Sequence, residues 1–108
     1  MTYRFGDIYL VRFHPATGRK LKKYRPAVIV SEVTQQVDQR FVMIAPLTSL
    51  VADCNSTELL IAHSQLKYPS KILTWYLKTT DASRLAEKIG ELSTVDKKKL
   101  RKQLKQLF

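Results

Sequence analysis

The sequence predicts an α+β fold built on an antiparallel sheet, and two observations lead to it. Short apolar segments rich in β-forming residues run as far as residue 79, after which the apolar residues recur with the period of a helix. Because the predicted strands precede the predicted helices and do not alternate with them, their order is that of an antiparallel sheet and not of parallel βαβ units. A chain of 108 residues makes one ordinary domain, so we expect a single domain over 1–108.

The predicted strands begin or end at residues that suit the boundary of a strand. Gly6 supplies a turn before the first, Pro26 is tolerated at the start of the second, and Pro46 ends the third. The predicted strands cover residues 7–13, 27–31, 40–45, 58–62 and 71–79. The last is the longest and is rich in apolar residues, so we expect it to cross the core.

The first of two predicted helices is short. Asp81 or Ser83 can cap a helix over 84–89, and Gly90 suits its C-terminal end. This segment therefore predicts a short helix between the last strand and the final helix.

The final helix is predicted from its cap and its apolar stripe. Ser93 and Asp96 have the spacing of a capping box, and Leu100, Leu104 and Leu107 follow at helical spacing. The other faces of this helix carry six cations: Lys97, Lys98, Lys99, Arg101, Lys102 and Lys105. Like charges at this spacing repel one another, so these cations form either a solvated face or a surface for an acidic partner.

The charge balance points to a polyanionic partner. Nineteen Lys and Arg against nine Asp and Glu leave a net charge of +10, which suits nucleic acid, an anionic membrane surface or an acidic protein. Five cations with no acid among them occupy the seven residues 19–25, beside Tyr24: Arg19, Lys20, Lys22, Lys23 and Arg25. Cations bind a phosphate backbone and a ring can stack on a base, so this loop suits single-stranded nucleic acid; the alternative is a solvated loop.

Several classes of protein are excluded by the sequence. No apolar run approaches the roughly 20 residues that span a bilayer, and Asp7 falls where a signal peptide would be apolar. The single cysteine, Cys54, forms no internal disulfide, so we expect a cytoplasmic protein. His14 and His63 have no carboxylate within one strand or helical turn, and the three glycines are all apart. We therefore expect neither a metal ion nor another cofactor.

One reaction suits a basic chain for which neither a metal ion nor another cofactor is expected. RNA carries its own nucleophile, the 2′-hydroxyl, so its cleavage to a cyclic phosphate needs only acid–base help and stabilisation of a pentacoordinate phosphorane. The planar guanidinium of arginine pairs with two phosphate oxygens and stays charged, and a Thr or Ser hydroxyl can hold a further oxygen.

Blocks of sequence in a fixed order carry a resemblance to a known family. They are GDIYLV at 6–11, FxP at 13–15, the glycine at 18, RPAVIVS at 25–31, APLTS at 45–49, KTTDxxRL at 78–85 and KIGELS at 88–93. Together these blocks resemble the PemK/MazF family of toxins from bacterial toxin–antitoxin systems. They extend over nearly the whole chain.

The resemblance implies a fold, an activity and partners. The fold would be an SH3-like, strongly bent antiparallel β-barrel with a short helix and a C-terminal α-helix, acting as a homodimer. The activity would be metal-independent cleavage of single-stranded RNA at short sequences, which leaves a 2′,3′-cyclic phosphate and a 5′-hydroxyl. The cognate antitoxin would cover the RNA groove with an acidic, flexible tail, and such a partner fits the net charge of +10.

The resemblance also assigns roles to individual residues. Arg25 stands at the catalytic arginine and Thr48 at the catalytic threonine, although a surface cation and a turn residue are the structural alternatives. Lys78 stands where the family has Arg or Lys and would contact a phosphate. The full set of expected RNA-binding residues is Arg19, Lys20, Lys22, Lys23, Tyr24, Ser49, Trp75 and Lys78. Asp81 and Arg84 match a family pair that we expect to cap and brace the short helix.

Two departures from the family pattern remove acidic residues. The family's glutamate after the glycine is replaced by Lys20, and its Asp-Gln pair is replaced by Trp75 and Tyr76. A carboxylate base is therefore missing from the expected places. His14 could replace it as the catalytic base, since imidazole titrates near neutral pH, and Lys20 could do so only where neighbouring cations favoured its neutral form. If neither residue acts as the base, then either Arg25 and Thr48 are enough for slow cleavage or the chain no longer cuts RNA.

Three functions stay open from the sequence. The first is a sequence-specific endoribonuclease toxin, and the second is an RNA-binding member of the same family that cleaves weakly or not at all. The third is a gyrase poison of the CcdB type, although the last residues, 104–108, do not match the C-terminal motif of those proteins. Binding of the final helix to a membrane surface is disfavoured, because its apolar stripe is needed in the core.

Overall fold

The computed structural model describes residues 3–13, 23–31, 37–49, 58–61 and 69–107. In these residues the chain forms seven strands, one 3-10 turn and one long helix. The strands are β1 (Asp7–Phe13), β2 (Lys23–Ser31), β3 (Phe41–Thr48), β4 (Glu58–Ile61), β5 (Ser70–Leu73), β6 (Lys78–Asp81) and β7 (Leu85–Glu91), and the helix is α1 (Thr94–Leu107). The predicted α+β class is confirmed.

The strands form one antiparallel sheet in the order β4-β5-β3-β2-β1-β7. β3 lies at the centre of this order and pairs with β2 along one edge. Along its other edge β3 pairs with two strands in turn, with β6 through its first half and with β5 through its last two residues. The sheet therefore divides on one side of β3.

Side chains alternate between the two faces of the sheet, and each face carries its own core. The face here called the helix face buries residues with Leu100 of α1: Ile8, Val28, Val30, Ala45, Leu47, Ile61, Ile72 and Leu92. The face here called the tyrosine face carries the second cluster: Tyr3, Tyr9, Val11, Ala27, Ile29, Val42 and Ile44. The Tyr3 and Tyr9 rings meet edge to face, with centroids 5.3 Å apart, and burial raises the pKa of Tyr9.

The segment 71–79 forms two strands, so the prediction of one long strand is wrong. The chain leaves β5 in a tight turn, in which the Tyr76 N–H donates to the Leu73 carbonyl at 2.9 Å. The next residues re-enter the sheet as β6, opposite the first half of β3. Because this turn uses neither glycine nor proline, the sequence gives no local signal for it.

The predicted short helix over 84–89 is also wrong. A 3-10 turn over Ala82–Arg84 leads directly into β7, which pairs with β1. Its residues include good helix formers, but the hydrogen bonds of the ladder with β1 override that weak preference. Asp81 makes no side-chain cap at this turn, whereas Arg84 braces it by donating from Nη1 to the Arg12 carbonyl at 3.2 Å.

Two strands extend past the prolines that were expected to limit them. β2 begins at Lys23 and passes through Pro26, and β3 passes through Pro46 to Thr48. Pro46 lies between the stretch of β3 that pairs with β6 and the stretch that pairs with β5. A proline is tolerated at such an interruption because no ladder hydrogen bond there requires its N–H.

The final helix confirms its predicted cap and stripe. The Asp96 N–H donates to Ser93 Oγ at 3.1 Å, Leu100 is fully buried, and Leu104 packs partly against the same cluster. The remaining faces are basic, and five of the cations on them are exposed: Lys98, Lys99, Arg101, Lys102 and Lys105. Within the described ranges, no helix has the length and apolar character that crossing a membrane requires.

Gly6 joins three elements at a position where a side chain fits poorly. Its N–H donates to the Ile29 carbonyl at 2.9 Å, and its carbonyl accepts from the Leu92 N–H at 2.8 Å. Its φ of +91° lies in the left-handed region that residues with a Cβ disfavour. A Cβ at this position would also come within 2.7 Å of Lys97 Cε.

Replacing Gly6 by alanine is therefore expected to lower the free energy of unfolding by roughly 1–2 kcal/mol, which is the cost of a Cβ in the left-handed region. Urea denaturation measures the change. Because the Lys97 side chain is flexible, its clash with the new Cβ should add little to this cost. Gly6→Ala should therefore lower the free energy of unfolding by nearly as much in a Lys97→Ala background as in the wild type. If Gly6→Ala did not change the free energy of unfolding in the Lys97→Ala background, the contact with Lys97, and not the backbone conformation, would explain the destabilisation.

Candidate functional site

The register between β2 and β3 indicates how Arg25 and Thr48 lie relative to each other. The β2–β3 ladder ends at the pair Ala27–Pro46, and its register, continued two residues beyond that end, would set Arg25 opposite Thr48. Alternation puts both residues on the tyrosine face. Residues opposite each other on adjacent strands have Cβ atoms about 5 Å apart, which is within reach of one small anion.

The two residues belong to a row that crosses four adjacent strands. Thr48 pairs with Lys71 of β5 on its other side, and Arg25 pairs with Val11 of β1. Arg25 is exposed and its side chain makes no hydrogen bond or ion pair with another described residue, while Thr48 is half-buried. A guanidinium beside a hydroxyl offers several donors to phosphate oxygens, so this row can bind a phosphate.

A buried carboxylate on the same face was not singled out by the sequence analysis. Glu58 Oε1 lies 2.8 Å from Lys71 Nζ, and Glu58 Oε2 accepts a hydrogen bond of 2.8 Å from Trp75 Nε1. The side chains of Lys71 and Glu58 are only 10% and 6% exposed. The three residues come from β4, β5 and the turn after β5, and no local pattern in the sequence indicates that they meet.

The turn between β5 and β6 exposes two aromatic rings side by side. Trp75 and Tyr76 are 54% and 50% exposed. Their ring centroids lie 5.5 Å apart with an angle of 24° between the planes, so the rings are stacked. Through Glu58 and Lys71, this pair is connected to the strand position opposite Thr48.

The remaining expected site residues are distributed over the fold. Lys78 is exposed at the start of β6 and lies opposite Ile44, on the tyrosine face, and Ser49 is exposed directly after β3. Tyr24 is exposed too, but alternation along β2 turns it to the face opposite that of Arg25. Lys23 begins β2. Four expected residues lie outside the described ranges: His14, Arg19, Lys20 and Lys22.

In the part of the chain that the structure describes, no group of three or more His, Cys, Asp or Glu side chains could hold a metal ion. Among the described residues, the tyrosine face offers the cations Arg25 and Lys78, the Thr48 hydroxyl, the Glu58–Lys71 pair and the exposed aromatic pair.

The fold and the residues on its tyrosine face define a small, strongly basic α+β protein with polar residues suited to bind phosphate. The chain belongs to the family of PemK-like, MazF-like toxins of type II toxin–antitoxin systems, whose model matches residues 4–108.

Individual relatives agree with this assignment. An endoribonuclease MazF from Staphylococcus saprophyticus is 34% identical over 98 residues, which cover 88% of this chain and 80% of the relative. The MazE-MazF crystal structure from Deinococcus radiodurans matches with a TM-score of 0.79 and 23% identity, over 99% of this chain and 96% of that one. Toxin MazF-mt6 of Mycobacterium tuberculosis matches with a TM-score of 0.73 and 23% identity, over 93% of both chains. The antiparallel, barrel-like sheet with a C-terminal helix is thereby confirmed.

Proposed function

We propose that this toxin-family chain is an endoribonuclease that cleaves single-stranded RNA without a metal ion, at a phosphate bound between Arg25 and Thr48. The observation that supports this site is the register of β2 and β3, which would set the two residues opposite each other on one face if it continued two residues beyond the pair Ala27–Pro46. The identity with a relative that is itself an endoribonuclease supports the activity.

The proposed reaction uses a nucleophile of the substrate. The 2′-oxygen attacks the adjacent phosphorus and loses its proton, the bond from phosphorus to the 5′-oxygen breaks, and that oxygen gains a proton. The products are a 2′,3′-cyclic phosphate and a 5′-hydroxyl. Arg25 stabilises the charge that builds up on the phosphorane oxygens, and the Thr48 hydroxyl fixes the orientation of the scissile phosphate.

A general base must accept the proton of the 2′-hydroxyl. Glu58 is the carboxylate linked through Lys71 to the strand position beside Thr48, but its two oxygens accept from Lys71 and Trp75. That arrangement suits an anchor and not a proton acceptor. We assign the role to His14, because imidazole accepts a proton readily near neutral pH.

The positive charge of the chain indicates how the RNA strand and a protein partner would bind. The basic residues Arg19, Lys20, Lys22 and Lys23 would guide the RNA backbone into the site, with Ser49 and Lys78 as further contacts. The net charge of +10 suits an acidic antitoxin in the same groove. We further propose a homodimer, as the family resemblance implies, and a cytoplasmic location, as the single cysteine indicates.

The deciding experiment is incubation of the purified protein with long single-stranded RNAs in EDTA, with the new ends mapped by primer extension. Discrete cuts with cyclic-phosphate and 5′-hydroxyl ends would support the proposal and would identify the recognised sequence. Intact RNA from a folded protein, over several unrelated RNAs, would contradict it. Salt-dependent RNA binding would then assign a binding function, and inhibition of gyrase supercoiling would assign a gyrase poison.

A further inference from the structure

The aromatic pair Trp75–Tyr76 is an exposed surface that the fold itself does not require. Both rings leave about half of their area in solvent, although neighbouring apolar side chains of that size are usually buried. They stack on each other and not on the core. Adjacent exposed aromatic side chains of this kind mark binding surfaces more often than isolated ones do.

The pair is held rigidly at one edge. The Trp75 indole donates from Nε1 to Glu58 Oε2, and the other oxygen of Glu58 is engaged by Lys71 Nζ, each at 2.8 Å. The side chains of Glu58 and Lys71 are buried, so the Glu58–Lys71 pair is shielded from solvent, while Trp75 itself is exposed. A ring that is already fixed in the free protein loses less conformational entropy on binding than a flexible ring does.

The anchor also sets the pair beside the proposed phosphate site. Lys71 lies opposite Thr48, one strand away, and Arg25 lies one strand further. Adjacent strands are about 4.8 Å apart, so the backbones of β5 at Lys71 and of β2 at Arg25 are separated by roughly 10 Å across the sheet. Lys78 contributes another exposed cation on the same face, which favours a ligand that joins an aromatic ring to phosphates.

We propose that Trp75 and Tyr76 form a stacking platform for one unpaired nucleobase of the RNA, and that Glu58 is the positioning residue that fixes it. The inference rests on the proposed function, since it takes single-stranded RNA as the ligand. It goes further in giving this chain a recognition element where its family has an Asp-Gln pair. Bases stack on aromatic side chains through their faces, so the platform adds affinity and favours bases that stack strongly.

The test uses short RNA strands methylated at every 2′-oxygen, of mixed sequence and of each single base, because they bind without being cut. Trp75 is the single tryptophan of the chain, so its fluorescence reports on the platform directly. We expect saturable quenching by RNA in the wild type. Affinities of all variants are measured by anisotropy of labelled strands, with thermal unfolding as the check on folding.

Trp75→Ala and Tyr76→Ala are each expected to weaken RNA binding roughly 5- to 150-fold. Trp75→Phe keeps a ring and loses the N–H, so it should bind more weakly than the wild type and more tightly than Trp75→Ala. Glu58→Gln keeps an oxygen that can accept from the indole N–H. In this variant RNA should still quench the Trp75 fluorescence, but it should bind with lower affinity than to the wild type. Phe41→Leu, which alters an exposed ring at the other end of β3, should bind like the wild type.

Unchanged RNA affinity in both alanine variants would overturn the platform. If they instead lost binding to an acidic peptide, the pair would be a protein-docking surface; if they dissociated a dimer, it would be a subunit interface. Either result with RNA affinity intact contradicts the proposal. Cleavage is measured separately, on unmodified RNA. If the wild type binds RNA without cutting it, the proposed endoribonuclease activity is refuted and the platform is not. If the Trp75→Ala variant cuts RNA as the wild type does, the platform is refuted and the activity is not.

Discussion

Replacing Arg25 by alanine is expected to lower the rate of RNA cleavage by about 100- to 1,000-fold, because it removes the cation that faces the developing charge of the phosphorane. The free energy of unfolding should change by no more than about 0.5 kcal/mol, since the side chain is exposed. Single-turnover cleavage of an RNA with one mapped site measures the first quantity, and urea denaturation measures the second.

Two further variants show what the guanidinium contributes. Arg25→Lys keeps the charge and loses the planar fork that pairs with two phosphate oxygens, so its rate should fall between those of the wild type and the alanine variant. Arg40→Ala removes one surface arginine, paired with Asp38, and should leave the rate unchanged. Full cleavage by Arg25→Ala, or its failure to fold, would contradict the assignment of this residue to catalysis.

Replacing Leu100 by alanine is expected to lower the free energy of unfolding by about 2–5 kcal/mol. Leu100 is fully buried and carries α1 into the cluster on the helix face, which includes Ile8, Val28 and Ile72. The substitution removes its transfer free energy and leaves a cavity beneath the helix. The melting temperature should fall by roughly 10 °C or more.

The measurement is urea denaturation at a fixed protein concentration, because association of subunits would add to the apparent stability. Leu107→Ala is the matched control, since that leucine is half-buried at the end of α1 and should cost less than about 1 kcal/mol. Equal losses in the two variants would contradict the view that Leu100 is the main anchor of the helix.

The elements that the sequence predicted well are those specified by local residues. Strand β1 has the predicted bounds, and α1 has the predicted N-cap at Ser93, with Leu100 buried and Leu104 partly packed against the core. In each case the signal lies within a few neighbouring residues: a β-rich run after Gly6, or a cap followed by leucines at helical spacing. Such signals need no knowledge of the tertiary partners.

The errors fall where distant pairing decides the local structure. The stretch that forms β7 has helix-forming residues and becomes a strand because β1 offers it a ladder. The stretch 71–79 divides because β5 and β6 meet different parts of β3. Neither outcome can be obtained from a short window of sequence, because the deciding contacts are made with strands remote in the chain.

The same distinction applies to the candidate site. The family resemblance singled out Arg25 and Thr48, and their juxtaposition depends on the register of two strands that are separated in sequence. The contact of Glu58 with Lys71 joins residues 13 positions apart, and its contact with Trp75 joins residues 17 apart. No periodicity or motif marks Glu58, so the anchor becomes visible only once β4 is paired with β5.

The division of the sheet beside β3 has a consequence for how such a protein can change during evolution. The exposed side chains of the turn between β5 and β6, Trp75 and Tyr76, belong to neither ladder, so they can be exchanged without unpairing either strand. Arg25 and Thr48, by contrast, lie within strands whose register the core fixes. In the function proposed above, new preferences for RNA can therefore arise in this turn by single substitutions while Arg25 and Thr48 are inherited unchanged.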